Sequence, residues 1–213
     1  MTTIGILGVT HDNERRKRIG LTLEFIEELI LEFKPDVLCG EMLPESWERY
    51  QQEGLFKGCV GEPASEYGEL IIPLCEKQGI EFVPIDWLEL DVWMDFDPFL
   101  AIEGELRNKL ELERTEWEQK QLSTCGIGPI PLNSAEYDSI TKAMYEWMER
   151  INPEAHIFRW ECRHLIMIQR IKNAVKRHPG KRILCIVGAD HNYKLYESLA
   201  AEEGIELVYP LRT

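Results

Sequence analysis

Two stretches of the chain, one near each end, decide the fold and share one pattern. They read IGILGVTH at residues 4–11 and ILCIVGADH at residues 183–191. Each apolar run predicts a buried β-strand, and each run is followed by glycine, two further residues and histidine. In a parallel sheet the carboxyl ends of the strands meet at one edge. The repeated pattern therefore predicts that His11 and His191 are neighbours, although 180 residues separate them in sequence.

The rest of the chain alternates between strand-like and helix-like patterns. Further short apolar runs predict strands at 36–41, 80–86 and 205–209. Segments with apolar residues at helical spacing predict helices at about 13–33, 65–78, 97–121, 134–151, 153–177 and 192–203. Strands alternating with helices through short links are typical of βαβ units. We therefore predict an α/β fold with a parallel-rich central sheet flanked by helices.

The composition changes after the third predicted strand. Residues 97–121 are rich in Glu, Leu, Lys and Arg, and they open with Asp97-Pro98, a favourable N-cap and first-turn pair. We interpret residues 97–151 as a helical insertion between the third and fourth strands. A length of 213 residues suits one domain with such an insertion, so we expect a single α/β domain over residues 1–213.

Charge and cysteine content restrict the classes of partner. The chain has 38 acidic and 24 basic residues, a formal net charge of −14, which disfavours nucleic acid and anionic lipid as partners. It has no apolar run of transmembrane length and no signal-peptide pattern. None of its six cysteines forms a C-x-x-C pair, which favours reduced thiols over disulfides or a Cys-based zinc site. We expect a cytoplasmic protein that acts on a small molecule or a peptide.

Acidic side chains follow the second and third predicted strands, at the edge where the two histidines are expected. Glu41 ends the second strand and Asp86 ends the third. Imidazole and carboxylate together suit Zn, Mn, Fe or Co. A metal with an open position lowers the pKa of bound water towards about 7 and so supplies a nucleophile. The pattern therefore predicts a metal site at this edge of the sheet.

Each of these residues also has a purely structural interpretation. The two histidines are then ordinary neighbours of helix N-termini, and Glu41 and Asp86 cap the helix or turn that follows them. Asp12 and Asp190 either orient the neighbouring imidazoles or act as helix caps. The sequence is compatible with both interpretations.

The predicted helix over 153–177 adds basic groups. Arg159, Arg163 and Arg170 lie on one stripe of this helix. An arginine that faces the acidic cluster would bind a substrate carboxylate or stabilise an oxyanion. Alternatively, these arginines form salt bridges with nearby acidic residues on the protein surface, and we favour this role for Arg170. His164 lies on the apolar stripe, and we interpret it as a core histidine.

At these residues the chain resembles the TraB/Tiki-like family, part of a wider group with erythromycin esterase-like and ChaN-like proteins. The shared motifs are Gly8-x-x-His11, PDVLCGEM with Glu41, CRHLIMIQRI with Arg163 and Met167, and Gly188-x-x-His191. The resemblance implies a metal-dependent hydrolase or protease-like site centred on the two histidines and the glutamate. Where the family often has Glu-Leu-Asp, this chain has Glu41-Met42-Leu43, so the substrate does not follow from the resemblance.

The resulting hypothesis is a metal-dependent hydrolase, protease-like or esterase-like. A divalent ion, Mn, Co or Zn, would be held by His11 and His191, with Glu41 as a ligand or general base. Asp86 would be an auxiliary ligand, and Arg163 would contact the oxyanion or substrate.

Two competing hypotheses belong to different classes of protein. One is a non-catalytic ligand-binding or haem-binding protein that uses the same imidazoles. The second is an interaction protein that forms homo-oligomers through the helical insertion at 97–151.

Overall fold

The centre of the protein is a five-stranded parallel sheet. This computed structural model describes residues 1–54 and 66–212. The strands are β1 (Thr2–Val9), β2 (Val37–Gly40), β3 (Glu81–Pro84), β4 (Arg182–Gly188) and β5 (Ile205–Val208). They are ordered β3-β2-β4-β1-β5, and every neighbouring pair is parallel. The prediction of an α/β fold with a parallel-rich central sheet is confirmed.

The two strands that carry the repeated pattern are direct neighbours. Strand β4 pairs along its whole length with residues 3–9 of β1, with Gly8 opposite Val187 and Val9 opposite Gly188. The two glycines are thus offset by a single position across the pair. The chain therefore places both Gly-x-x-His turns side by side at the carboxyl edge of the sheet.

Most of the remaining described chain is helical. The helices are α1 (Asn13–Ile19), α2 (Leu23–Phe33), α3 (Pro44–Glu53), α4 (Ile72–Gln78), α5 (Gly104–Ser123), α6 (Ala135–Ile151), α7 (Pro153–His156), α8 (Arg163–Arg177) and α9 (Asn192–Leu199). A π-helical turn at Tyr67–Ile71 leads into α4, and a second at Ile157–Cys162 joins α7 to α8. Helices α5 and α6 lie between β3 and β4, as predicted for the insertion. Residue 65, the start of one predicted helix, lies outside the described residues.

Apolar side chains cover both faces of the sheet. On one face Leu7 and Leu184 belong to a buried cluster with residues of α2 and α4. On the opposite face Ile6 and Cys185 belong to a second cluster with residues of α8 and α9. Because side chains alternate along a strand, continuous apolar runs fill both cores, as is usual for parallel sheets.

The segment after β1 differs from the prediction of one helix over 13–33. The structure has two helices, because α1 ends at Gly20, whose φ of 77° is left-handed, and its N–H bonds back to Arg16 and Lys17 carbonyls. Thr22 then starts α2, since its side chain accepts a hydrogen bond from the Phe25 N–H. The single-helix prediction is wrong because it relied on the spacing of apolar residues, which continues across the two capping residues that separate the helices.

The start of the insertion also differs from the prediction. Helix α5 begins at Gly104, seven residues after Asp97. Asp97 instead accepts a hydrogen bond from the Phe99 N–H at 2.9 Å within a turn. Asp97-Pro98 is therefore a turn signal here and does not begin a helix. Within the described ranges, no helix is both long enough and apolar enough to cross a bilayer.

Gly8 is required at the end of β1 because the buried Asn192 side chain occupies the space beside it. A Cβ atom at Gly8 would lie 2.2 Å from Asn192 Nδ2, and that side chain donates to the Leu132 carbonyl at 3.2 Å. We expect Gly8→Ala to lower the free energy of unfolding by about 1–3 kcal/mol, measured by urea unfolding. Gly126→Ala is the matched control, since a Cβ there has no neighbour within 4 Å. Equal stability of the two variants would contradict this role for Gly8.

Candidate active site

The carboxylate of Glu41 is the centre of a buried polar network. Its Oε1 accepts a hydrogen bond from Arg163 Nη2 at 2.6 Å and lies 3.3 Å from His191 Nε2. Its Oε2 accepts the Gly188 N–H at 2.6 Å and lies 3.4 Å from His11 Nε2. The structure thus brings four predicted site residues, His11, Glu41, Arg163 and His191, into one cluster.

Gly188 allows this approach because it has no side chain. A Cβ atom at this position would lie 3.1 Å from His11 Nε2, 3.3 Å from Glu41 Oε2 and 3.6 Å from His191 Cδ2. Any larger residue would press into the space between these groups. The glycine of the second repeated turn therefore opens the space in which the two imidazoles and the carboxylate converge.

The backbone of Glu41 is held by a buried tyrosine. The Glu41 N–H donates to the Tyr67 hydroxyl at 2.7 Å, and that hydroxyl donates to the Ile186 carbonyl of β4 at 2.9 Å. The strand end that carries the carboxylate is therefore tied to the neighbouring strand. Leu43 is the N-cap residue of α3, so Glu41 does not have the capping role that its sequence position also allows.

His11 lies between two carboxylates. Its Nδ1 is 2.5 Å from Glu66 Oε1, and Arg16 Nη1 donates to the second oxygen of Glu66 at 2.6 Å. Burial lowers the pKa of His11, but hydrogen bonds to Glu41 and Glu66 outweigh burial and raise it from 6.5 to about 10. The ring is therefore an imidazolium near neutral pH, donating from Nδ1 to Glu66 and from Nε2 to Glu41.

The raised pKa of His11 makes part of the stability depend on pH. The pKa of His11 is about 10 in the folded state, compared with 6.5 for an unperturbed histidine. The stabilisation that the protonated ring contributes is therefore complete below pH 6.5 and is lost as pH rises through 10. Because the side chain is 37% exposed, water screens the pairs. We expect wild type to exceed His11→Gln in free energy of unfolding by an amount on the order of 1–2 kcal/mol at pH 6.

This excess should largely disappear at pH 10.5, as measured by urea unfolding at both pH values. His178→Gln is the control, because His178 pairs with Glu81 at 3.2 Å on the opposite end of the sheet from the cluster. A wild-type excess over His11→Gln that is the same at both pH values would contradict the assignment.

His191 is oriented by a chain of hydrogen bonds. Its Nδ1 lies 2.8 Å from His164 Nε2, and His164 Nδ1 lies 2.7 Å from the Trp160 carbonyl. A carbonyl only accepts, so His164 carries its proton on Nδ1 and accepts the His191 Nδ1–H through Nε2. Burial holds the pKa of His164 well below its usual range, so the ring is neutral. In neutral His191 the lone pair of Nε2 therefore faces Glu41.

Arg163 connects Glu41 to Asp86. Its Nε and Nη2 donate to the two oxygens of Asp86 at 2.7 and 3.0 Å, in addition to the bond with Glu41. Burial raises the pKa of Glu41, but His191 and Arg163 outweigh it and hold that pKa well below its usual range. Asp86 therefore lies behind the arginine and contacts neither imidazole. Arg170 donates to the Asp86 carbonyl and is not part of a surface salt-bridge stripe.

The two aspartates beside the histidines do not contact them. Asp12 is the N-cap of α1, since its Oδ1 accepts the Arg15 N–H at 2.8 Å. Asp190 accepts hydrogen bonds from Tyr137 at 2.7 Å and from Gln121 at 3.0 Å, and the Tyr145 hydroxyl lies 3.3 Å away. Asp12 thus has the capping role, and Asp190 connects the sheet edge to α5 and α6.

A cavity of about 260 Å³ opens onto this cluster. The two imidazoles, Glu41 and Arg163 line it, together with Asp190 and Arg15. Three aromatic side chains complete the wall, namely Tyr137, Tyr145 and Trp160. The Trp160 ring stacks on His191, with centroids 5.0 Å apart, and on Tyr145 at 3.4 Å. The site is a small pocket lined by both charged groups and aromatic rings.

The donor groups do not fit a resident divalent ion as they are arranged. In the ranges 1–54 and 66–212, no three His, Cys, Asp or Glu side chains are placed so that they would hold a metal together. Both oxygens of Glu41 already accept strong hydrogen bonds, one of them from the Arg163 guanidinium. Protonated His11 offers no lone pair to a metal. As arranged, these groups do not form a ready metal site.

Two residues of the site do not emerge from the sequence pattern. Glu66 carries no motif, and it pairs with His11 across 55 residues. His164 is buried, as expected of a core histidine, but its Nε2 also contacts His191. Its helical neighbour Arg163 is a predicted site residue, and that adjacency is the one signal in the sequence for His164.

No protein-family model matches this chain, and no curated protein matches its sequence. The resemblance to the TraB/Tiki-like family stays a prediction that rests on short motifs.

Proposed function

We propose that the protein is a hydrolase that uses water to cleave a small carboxylic ester or amide. The observation that carries this proposal is the pair of imidazoles facing one ionised carboxylate, each fixed by a different partner on its Nδ1. Such a pair supplies an acid and a base in the same cavity, which hydrolysis requires. We place this activity in the cytoplasm, in keeping with the pattern of cysteine use.

In this proposal His191 is the general base. Its Nε2 takes a proton from water, and the oxygen of that water adds to the substrate carbonyl. Glu41 Oε1, 3.3 Å from the same Nε2, stabilises the imidazolium that forms through its negative charge. The His11 imidazolium stabilises the developing oxyanion and gives its proton to the leaving group as the bond between the carbonyl carbon and that group breaks. The proton on His191 then passes through solvent to His11, which restores both rings. Arg163 keeps Glu41 ionised and in position.

The first experiment is hydrolysis of p-nitrophenyl acetate and of small amides by the purified protein in the presence of a chelator. We expect turnover above the solvent rate by wild type and none by Glu41→Gln, in which the carboxylate charge is lost but the side-chain shape is kept. Circular dichroism and thermal unfolding establish that the variant is folded. A rate equal to that of Glu41→Gln for every substrate would overturn the proposal.

A metal-dependent form of the same activity is the second candidate. It is favoured by the carboxylate of Glu66 on His11 Nδ1, because metal-ligating histidines usually donate their second nitrogen to such a group. His11, Glu41 and His191 would hold Mn, Co or Zn, and the ion would supply an activated water. Binding would require His11 to lose its proton and Glu41 to rearrange.

Metal analysis by mass spectrometry separates the two candidates. The metal-dependent form predicts about one ion per chain in wild type loaded with Mn, Co or Zn, and less in His11→Ala. The metal-free form predicts the same low content in both proteins and full activity after chelation. Stoichiometric metal in wild type alone, with activity lost on its removal, would replace the first mechanism by the second.

Haem binding and self-association receive less support from the geometry than hydrolysis does. A cavity of about 260 Å³ suits a small molecule, and nothing in its size favours haem. Helices α5 and α6 contact each other and the body, which supports no particular oligomer. Ligand binding without catalysis and self-association through the insertion remain predictions. Haem titration and mass measurement in solution test them.

A further inference from the structure

The cavity contains one guanidinium that the proposed chemistry does not use. Arg15, on α1, lines the same cavity as the two imidazoles and Glu41. Its neighbour Arg16 is paired with Glu66, and Arg163 is paired with Glu41 and Asp86. Within residues 1–54 and 66–212, by contrast, the Arg15 guanidinium makes no ion pair. It is therefore the uncommitted positive charge of the site.

Arg15 is also partly removed from water. Its Nε is buried and has no hydrogen-bond partner among the described groups. Buried polar groups are nearly always hydrogen-bonded, so an unpaired guanidinium N–H needs an explanation. A guanidinium presents several donors in a rigid fork that matches a carboxylate. An anionic group in the cavity would supply the missing acceptor and neutralise the charge.

The neighbours of Arg15 do not compete for it. Asp12 accepts from the backbone N–H of Arg15, which fixes the start of α1. Asp190 also lines the cavity, but it already accepts hydrogen bonds from Tyr137 and Gln121. The chain as a whole carries a net charge of −14, so a half-buried arginine without an ion pair in a cavity is not explained by general surface charge.

We propose that Arg15 binds a carboxylate on the substrate, so that the hydrolase prefers small anionic acyl compounds such as half-esters or half-amides of dicarboxylic acids. This inference rests on the proposed function. One end of the substrate lies at Arg15 and the scissile carbonyl lies at the His11–Glu41–His191 cluster. A cavity of about 260 Å³ accommodates a short acyl chain between them. Arg15 binds substrate and takes no part in bond cleavage.

The test compares two matched esters, neutral p-nitrophenyl acetate and anionic mono-p-nitrophenyl succinate. In wild type we expect kcat/KM for the anionic ester to exceed that for the neutral ester by about 10- to 100-fold, the range for a charged hydrogen bond. In Arg15→Met this ratio should fall to near one, and Arg15→Lys should retain part of it. Arg18→Met is the matched control, because Arg18 is exposed on the same helix and does not line the cavity.

A binding measurement separates this inference from the proposed function. Free succinate is titrated calorimetrically into wild type, Arg15→Met and Arg18→Met. Binding by wild type and Arg18→Met, weakened about 10-fold or more in Arg15→Met, supports the inference even if no ester is cleaved. Cleavage of both esters without preference, or succinate binding that is equal in all three proteins or absent, overturns the inference and leaves the hydrolase proposal to its own test.

Discussion

Replacing Arg163 by methionine is expected to lower the free energy of unfolding by about 3–5 kcal/mol at pH 7. Arg163 is the cation that compensates two buried carboxylates, Glu41 and Asp86, whose side chains are 8% and 7% exposed. Methionine keeps most of the side-chain volume and favours a helix, so the loss is mainly electrostatic. Without the guanidinium each of these carboxylates loses an ion pair, which is costly in a buried site because neither group regains full hydration.

The size of this loss should depend on pH. Burial raises the pKa of Glu41, and His191 and Arg163 together hold it well below its usual range, so this pKa rises once the guanidinium is gone. Stability that depends on an ionised Glu41 is lost as pH falls, so the difference from wild type should be smaller at pH 4 than at pH 7. Urea unfolding at pH 7 and pH 4 measures this dependence. Asp86→Asn leaves Arg163 paired with Glu41, so it should lower the free energy of unfolding by less than Arg163→Met does. It also allows the prediction to be tested if Arg163→Met does not fold.

Arg159→Met is the matched control for this prediction. Arg159 is on the same helical stretch, but its contact with Asp97 is 3.7 Å long and its side chain is 24% exposed. We expect a change of about 1 kcal/mol or less. If Arg163→Met cost no more than this control at pH 7, the ion pairs of Arg163 with Glu41 and Asp86 would not stabilise the fold.

The sequence carries enough information for the fold and for the centre of the site. The runs at 4–9 and 183–187 have apolar residues at successive positions, so both faces of each strand are apolar. Strands that lie between two layers of helices need this pattern. Once two such strands are parallel neighbours, the residues three positions after their glycines meet without further assumptions. The gathering of His11, His191 and Glu41 thus follows from strand topology.

The partners of these residues depend on packing between distant elements. Glu66 precedes a π-helical turn and carries no motif, and its pairing with His11 arises only when the segment before α4 packs against α1. Asp86 follows a strand as Glu41 does, yet the guanidinium of Arg163 lies between it and the histidines. The positions of Glu41 and Asp86 after their strands place both carboxylates at one edge of the sheet. Only the packing of α8, which carries Arg163, shows that Glu41 contacts the histidines and Asp86 does not.

Local capping signals divide the first helical segment where apolar spacing alone does not. Gly20 and Thr22 are a C-terminal and an N-terminal helix signal in succession, and they separate α1 from α2. This division matters for the site, because it orients α1 separately. Asp12 begins that short helix and Arg15 projects from it into the cavity.

Replacing His191 by glutamine is expected to lower kcat for ester hydrolysis by about 10²- to 10⁴-fold. Glutamine can still hydrogen-bond, but it cannot take a proton from water at neutral pH. The loss should fall mainly on kcat, since the general base acts in the transition state and contributes little to substrate binding. Stopped-flow or steady-state assays with p-nitrophenyl acetate measure both constants. Thermal unfolding checks that the variant remains folded.

The shape of the pH–rate profile distinguishes a base from a residue that only maintains the structure. A general base acts only in its unprotonated form, so the dependence of kcat on pH should change shape in His191→Gln and not merely drop by one factor at every pH. Hydroxide at high pH replaces the missing base and should restore part of the rate. His178→Gln, at the far end of α8, should keep the wild-type profile. If His191→Gln kept the wild-type shape of the profile and lost only a few-fold in kcat, another group would be the base, and the fixed orientation of His191 by His164 would serve the fold alone.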